Sequence, residues 1–157
     1  RDTISWNALL SGYAQMGSAK QVFVLLKRIQ REGLMLDLVS FLILLTTCNH
    51  AGLVDKGQVV FDDMCSRYSV LPSLEHYSCM VDLFCRAGHF SKVESVLNKV
   101  PKNDHLPLFL TMLGACHKWK NVELGRWTFE ELVKLDAECA PAFVVMRCCK
   151  YACRHSQ

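Results

Sequence analysis

The chain has 157 residues, 51% of them hydrophobic, and carries 18 lysines and arginines against 15 aspartates and glutamates, a net charge of +3. That is enough chain for one ordinary core, and the small positive balance excludes a strongly basic nucleic-acid arm or an acidic tail. The longest unbroken apolar runs, FLILL at Phe41 to Leu45 among them, are far short of the ~18 residues of a membrane span. Nine cysteines without a CxxC or an even framework read as free thiols in a reducing compartment.

The first stretch sets Trp6, Leu9, Leu10 and Tyr13 on one helical face. Gly17 breaks it, and Val22, Phe23, Leu26 and Ile29 form a second stripe that stops before Gly33. SAKQ (Ser18 to Gln21) has the spacing of a capping box at that second start. The next segment, LVSFLILLTT, would pass for a buried strand, but it aligns with SWNALLSGY and is therefore assigned to helix.

CNHAGLVDKG (Cys48 to Gly57) follows, and its cysteine, histidine, aspartate, lysine and paired glycines have the look of a small active site. Its markers return, however, as a catalytic loop's would not. RAGHFSKV (Arg86 to Val93) repeats the alanine, glycine and lysine, and Cys116 and Gly125 stand 68 residues after Cys48 and Gly57. The segment is thus a turn between helices. Val60, Phe61 and Met64 continue into the next helix.

The third pair comprises LEHYSCMVDLFCRAG and the run Val93, Val96, Leu97 and Val100 before Pro101, with SKVE (Ser91 to Glu94) as a second capping-box candidate. The fourth comprises LFLTMLGACHK and NVELGRWTFEELVKL. The opening aromatics Trp6, Phe41, Tyr77 and Phe109 step by 35, 36 and 32 residues, and the turn markers Gly17, Gly52, Gly88 and Lys120 take the same three steps. Two independent markers sharing one irregular spacing define four tandem units. The expected fold is all-α: helix-turn-helix repeats with pairs near 4–33, 39–69, 75–99 and 107–135, stacked as a right-handed α-solenoid.

The variable period, with Gly12 late in SWNALLSGY, departs from the constant ~34-residue tetratricopeptide unit. DTISWNALLSGYAQMG, LVSFLILLTTCNHAGLVDKG and above all LEHYSCMVDLFCRAG resemble plant pentatricopeptide repeat proteins of the PLS subfamily. The resemblance divides the chain into a P-type repeat (1–37), an L-type repeat (38–73), an S-type repeat (74–105), an E-like repeat (106–139) and a truncated or degenerate second E unit (140–157). That last segment departs from the leucine-rich helix usual there. Together with an opening that lacks methionine, it makes the chain read as a fragment of a longer protein.

The resemblance implies single-stranded RNA binding in a mitochondrion or chloroplast, one repeat to one base, as part of C-to-U editing with a deaminase recruited in trans. It assigns base readout to Asn7 and Asp37, a uracil-reading pair in which Asp37 orients the Asn7 amide, and the base sandwich to Ile4 and Val39. Ser78 and His105 are weaker readout candidates, because Glu75 occupies the sandwich place of their unit. Leu42 with Ser73, and Leu110 with Cys139, show no readable pattern. The E-like unit implies docking of protein editing partners, with Trp127, Phe129 and Leu132 on its second helix.

No cofactor, metal or small-molecule substrate is expected, and no membrane. The chain contains no HxE with PCxxC, GxSxG, Walker glycine loop or HExxH, so it is not expected to be an enzyme. The Cys148, Cys149, Cys153 and His155 cluster lacks the ligand pairs of a zinc site. The alternatives are a protein-interaction scaffold of tetratricopeptide type and a non-functional gene fragment.

Overall fold

The computed structural model describes residues 2–135, which form eight α-helices, one 3-10 turn and, among those residues, no strand. The helices are α1 (Thr3–Gln15), α2 (Ala19–Arg31), α3 (Leu38–Ala51), α4 (Val54–Ser66), α5 (Leu74–Ala87), α6 (Phe90–Leu97), α7 (His105–Lys118) and α8 (Val122–Leu135), with the 3-10 turn Lys102–Asp104 before α7. The all-α reading stands, and each of the four expected helix pairs is present. LVSFLILLTT lies within α3. The segment expected as a second E unit, 140–157, lies outside the described residues. The chain divides into two compact units, with the boundary inside α5 between Leu83 and Phe84.

In the first unit α1 packs on α2 and α3, and α3 packs on α4. Trp6, Leu10, Phe41 and Leu44 from the odd-numbered helices and Val22, Ile29 and Met64 from the even ones are all essentially without solvent contact. The aromatic that opens each unit packs edge-on against a second ring or beneath a cation. Phe41 meets Tyr68 at 5.3 Å, Tyr77 meets Phe61 at 5.5 Å, and Arg28 lies over Trp6 at 5.6 Å. A repeat marker in the sequence is thus a ring needed at one place in each hairpin.

The turn markers have an equally local cause. Gly17, Gly52 and Gly88 have φ of 69°, 66° and 74°, and Lys120 occupies the same left-handed conformation at 57°. Each turn closes with one pair of backbone bonds: Ser18 N–H to Tyr13 C=O and Gly17 N–H to Ala14 C=O in the first, Asn121 N–H to Cys116 C=O and Lys120 N–H to His117 C=O in the last. This is the Schellman closure of a helix C-terminus, which demands a left-handed residue.

The two capping boxes expected at serines are not formed. Ser18 precedes α2 but its side chain makes no cap bond, because its backbone (φ −90°, ψ 69°) is set by the Gly17 turn. Ser91 lies inside α6, whose N-cap is His89. A reciprocal box is found at α3 instead, where Asp37 accepts from Ser40 N–H at 2.8 Å and Ser40 Oγ accepts from Asp37 N–H at 3.3 Å.

The paired Cys and Gly markers are points of close helix approach. A Cβ placed on Gly57 would lie 3.4 Å from Cys48 Cβ, and one on Gly125 would lie 3.4 Å from Cys116 Cβ. At Gly57 it would also come within 2.5 Å of Leu83 Cδ2. CNHAGLVDKG is therefore packing and turn. Burial raises the Cys48 thiol pKa to about 11 despite the nearby Lys56, so it has little nucleophilic character at neutral pH.

In the second unit α7 and α8 form the hairpin, with Leu108, Met112, Leu113 and Leu132 fully buried. Phe109 packs edge-on against Trp127 at 6.1 Å. The indole of Trp119 lies beneath two cations, Arg86 at 4.5 Å and Lys118 at 5.0 Å.

Candidate nucleic-acid interface

Asn7 and Asp37, thirty residues apart, are brought into direct contact. Asn7 stands on the first turns of α1, which starts at the Asp2 cap, where the Asp2 carboxylate accepts from Ser5 N–H at 2.9 Å. Asp37 is the N-cap of α3, so the packing of α3 on α1 carries its carboxylate to Asn7. Asn7 Nδ2 donates to Asp37 Oδ1 at 3.0 Å and to Oδ2 at 3.2 Å. A carboxylate can only accept, so the amino side of the amide faces Asp37.

Ser40 completes the cluster. Its hydroxyl is 2.6 Å from Asn7 Oδ1 and 2.8 Å from Asp37 Oδ1, and donates its one proton to either. Burial pushes the Asp37 carboxyl up. The Ser40 backbone N–H, the Asn7 amide and the Ser40 hydroxyl together outweigh it and hold the group below its ordinary pKa. Asp37 is therefore an anion at neutral pH. The Asn7 amide is left with one N–H and spare acceptor capacity on Oδ1, side by side on a half-buried group whose orientation is fixed.

Two exposed apolar side chains accompany it. Ile4, one turn before Asn7 on α1, is 79% exposed, and Val39, in the first turn of α3, is 54% exposed. Neither is buried in the core despite its β-branched apolar character. Ser40 was not visible as a member of this site by periodicity alone. Its signal is the spacing D-x-x-S, which is that of a capping box.

The remaining expected readers are differently engaged. Between α4 and α5, Ser73 is tied to His76. Ser73 N–H donates to His76 Nδ1 at 3.3 Å, so Nδ1 is the acceptor nitrogen and Nε2–H donates to the Leu38 carbonyl at 3.0 Å. Ser73 Oγ then donates to Nδ1 at 2.7 Å, which ties Ser73 into the packing beside a buried histidine. Ser78 is half-buried on α5 in the first unit. His105 belongs to the second unit, where its Nε2 approaches the carbonyls of Val100 at 2.9 Å and Leu97 at 3.1 Å. With Nε2 facing these two acceptors, that nitrogen of His105 is not available to a base. Cys139 lies outside the described residues.

On α8, Trp127 is 40% exposed between two clefts of about 280 and 300 Å³, the first bordered by Phe90 and Glu123, the second by Asn98 and Lys102. Phe129 is half-buried. Leu132 corrects the sequence expectation: it is fully buried in the α7–α8 hairpin and offers nothing to a partner. Among the described residues no group of three His, Cys, Asp or Glu could hold a metal ion, and no helix is long and apolar enough to cross a membrane.

An irregularly spaced set of helical hairpins closed by left-handed turns, with an amide–carboxylate pair bridging two first helices, defines a helical-repeat protein. Comparison with known families is specific: the PPR repeat family matches residues 4–34, 39–68 and 75–105. The chain belongs to the pentatricopeptide repeat family.

A pentatricopeptide repeat-containing protein of Arabidopsis thaliana is 40% identical over 136 residues, 87% of this chain and 18% of its own length. Two more from the same plant, named as chloroplastic and mitochondrial, are 35% and 36% identical over 90% of this chain and cover 19% and 18% of their own lengths. The chain spans roughly a fifth of the length of these curated relatives. Among solved structures, the maize pentatricopeptide repeat protein PPR10 superposes with a TM-score of 0.74 at 21% identity, over 85% of this chain and 19% of that one. PPR10 in complex with an 18-nt PSAJ RNA element gives 0.69 at 18% identity, over 85% and 20%.

Proposed function

We propose that the chain is a single-stranded RNA-binding module of an organelle RNA-processing factor, with Asn7 reading one base. The observation that carries this is the Asn7–Asp37–Ser40 cluster. A solvent-facing polar side chain on a helix has no need of two partners at the start of α3, Asp37 and Ser40, whereas a base reader must be oriented before the base arrives.

The spare N–H and Oδ1 of Asn7 answer the carbonyl and N3–H on the Watson–Crick edge of uracil. Ile4 and Val39 supply the apolar faces above and below the ring, which explains their exposure. Asp37 orients the amide and supports it electrostatically, without touching the base. An RNA-bound relative fold and the chloroplastic and mitochondrial names of relatives support the same reading.

The division into P-, L-, S- and E-like repeats, and a role in C-to-U editing with a deaminase recruited in trans, are part of this proposal. Leu42, paired with a Ser73 bound to His76, makes the second repeat a weak reader. Docking of editing partners falls to Trp127 and Phe129 on α8. A protein-interaction scaffold is the competing reading, favoured by that half-exposed tryptophan alone.

The test is base preference. With the first repeat placed in a longer repeat array, binding favours uracil over guanine at the corresponding position, and Asn7→Thr moves the preference toward guanine. An unchanged preference would remove Asn7 from the reading role.

A further inference from the structure

A second surface in the first unit lies on the even-numbered helices. Helix α2, AKQVFVLLKRIQR, carries four cations and no acid. Arg28 is neutralised by Glu32 at 3.1 Å, but Lys20 and Lys27 have no carboxylate partner and are exposed. Between them Val24 is 55% exposed, so positions 20, 24 and 27 make a stripe of cation, aliphatic and cation. Lys56 of α4 joins this stripe across a cleft of about 420 Å³, lined also by Ala19 and Phe23 and by no acidic residue.

The cleft has a positive rim and an apolar floor, which an ordinary solvated face lacks. Its one aromatic ring is already capped, since the Lys56 ammonium lies 4.7 Å from the Phe23 centroid. A base therefore has no ring to stack on, and the rest of the floor has no side-chain group to read a base edge. Carboxylates with an aliphatic side chain between them satisfy both rim and floor.

Lys20 and Lys27 are seven residues apart on a helix, about 10 Å along its axis. An acidic helix with carboxylates at i and i+7 and leucines at i+3 and i+4 has the same spacing. We propose that this cleft, on helices other than the one carrying Asn7, docks an acidic amphipathic helix of a protein partner.

The probe is a fluorescein-labelled helical peptide with Glu at i and i+7 and Leu at i+3 and i+4, read by anisotropy against the full chain at low salt. Binding is expected to weaken at least tenfold in Lys20→Glu/Lys27→Glu, and to be unchanged in the charge-matched Lys99→Glu/Lys120→Glu, two exposed lysines that line neither this cleft nor those beside Trp127. Val24→Asp is expected to weaken it with every lysine retained. Circular dichroism checks the helices of each variant, and Lys20→Gln/Lys27→Gln, which keeps helix propensity, repeats the test if the glutamates disturb the fold. The proposal is overturned if the peptide does not bind, if both double variants weaken it equally, or if Val24→Asp has no effect. It is equally overturned if oligouridine, and not the acidic peptide, loses affinity in the Lys20/Lys27 variants, since the cleft would then be a phosphate surface.

Discussion

Asn7, Asp37 and Ser40 carry two tasks at once. The Asp37 carboxylate caps α3 through Ser40 N–H and holds the Asn7 amide. Asp37→Ala removes a cap worth about 1 kcal/mol, so a lower urea midpoint is expected together with a loss of base preference. Because the folded-state pKa of Asp37 is depressed, its contribution is fully present above the ordinary carboxylate range and is lost as pH falls through the folded value. Urea midpoints of wild type measured downward from neutrality should therefore fall more than those of Asp37→Ala once that range is passed. Cysteine chemistry gives a separate check: Cys65 is exposed, whereas Cys48 is buried with its pKa raised to about 11. Iodoacetamide at neutral pH, followed by peptide mapping, should label Cys65 well before Cys48.

At the scale of helices and turns, two substitutions test the physical basis of the repeat. Lys120 takes the left-handed conformation that glycine takes in the other three turns. A non-glycine residue there costs roughly 1–2 kcal/mol, partly offset by the greater unfolded-state freedom of glycine. Lys120→Gly should raise the thermal midpoint of the chain. Gly57→Ala forces a methyl into Leu83, which is fully buried and cannot swing away, at a cost of about 1–3 kcal/mol. Gly125→Ala meets Cys116 Cβ at ordinary contact distance and should cost less, a contrast that urea midpoints would show. The helix pairs were legible because their markers, rings at one packing point and left-handed residues at another, are local demands that recur. The serine caps were misread because S-x-x-E spacing says nothing of the backbone at its first residue, which the preceding turn dictates. Asn7 and Asp37 were legible only through family resemblance, since hydrogen bonds over thirty residues leave no periodic trace. Ser40 was missed because it also serves as a helix cap. The burial of Leu132 is not legible, because a stripe of apolar residues on α8 does not show which of them is covered.

For the molecule as a whole, the proposed reading, with one oriented reader and weaker later ones, implies weak binding. A net charge of +3 adds little phosphate attraction. Short RNA is expected to bind the chain no tighter than the roughly 10⁻⁴–10⁻⁶ M typical of non-specific contacts, and to be lost readily with salt. Anisotropy at two salt concentrations checks this, and nanomolar, sequence-selective binding would contradict it. Such weak binding suits nuclear magnetic resonance, which can also locate the contact. The most direct measurement is a titration of the ¹⁵N-labelled chain with oligouridine and, in parallel, oligoguanosine of equal length, following the Asn7 side-chain amide and the backbone amides of Ile4 and Val39. Shifts are expected to centre on these three residues, to be larger with uridine, and to be abolished for the neighbouring amides by Asn7→Ala. Shifts that leave Asn7 unmoved, or that are the same for both oligonucleotides, would contradict it.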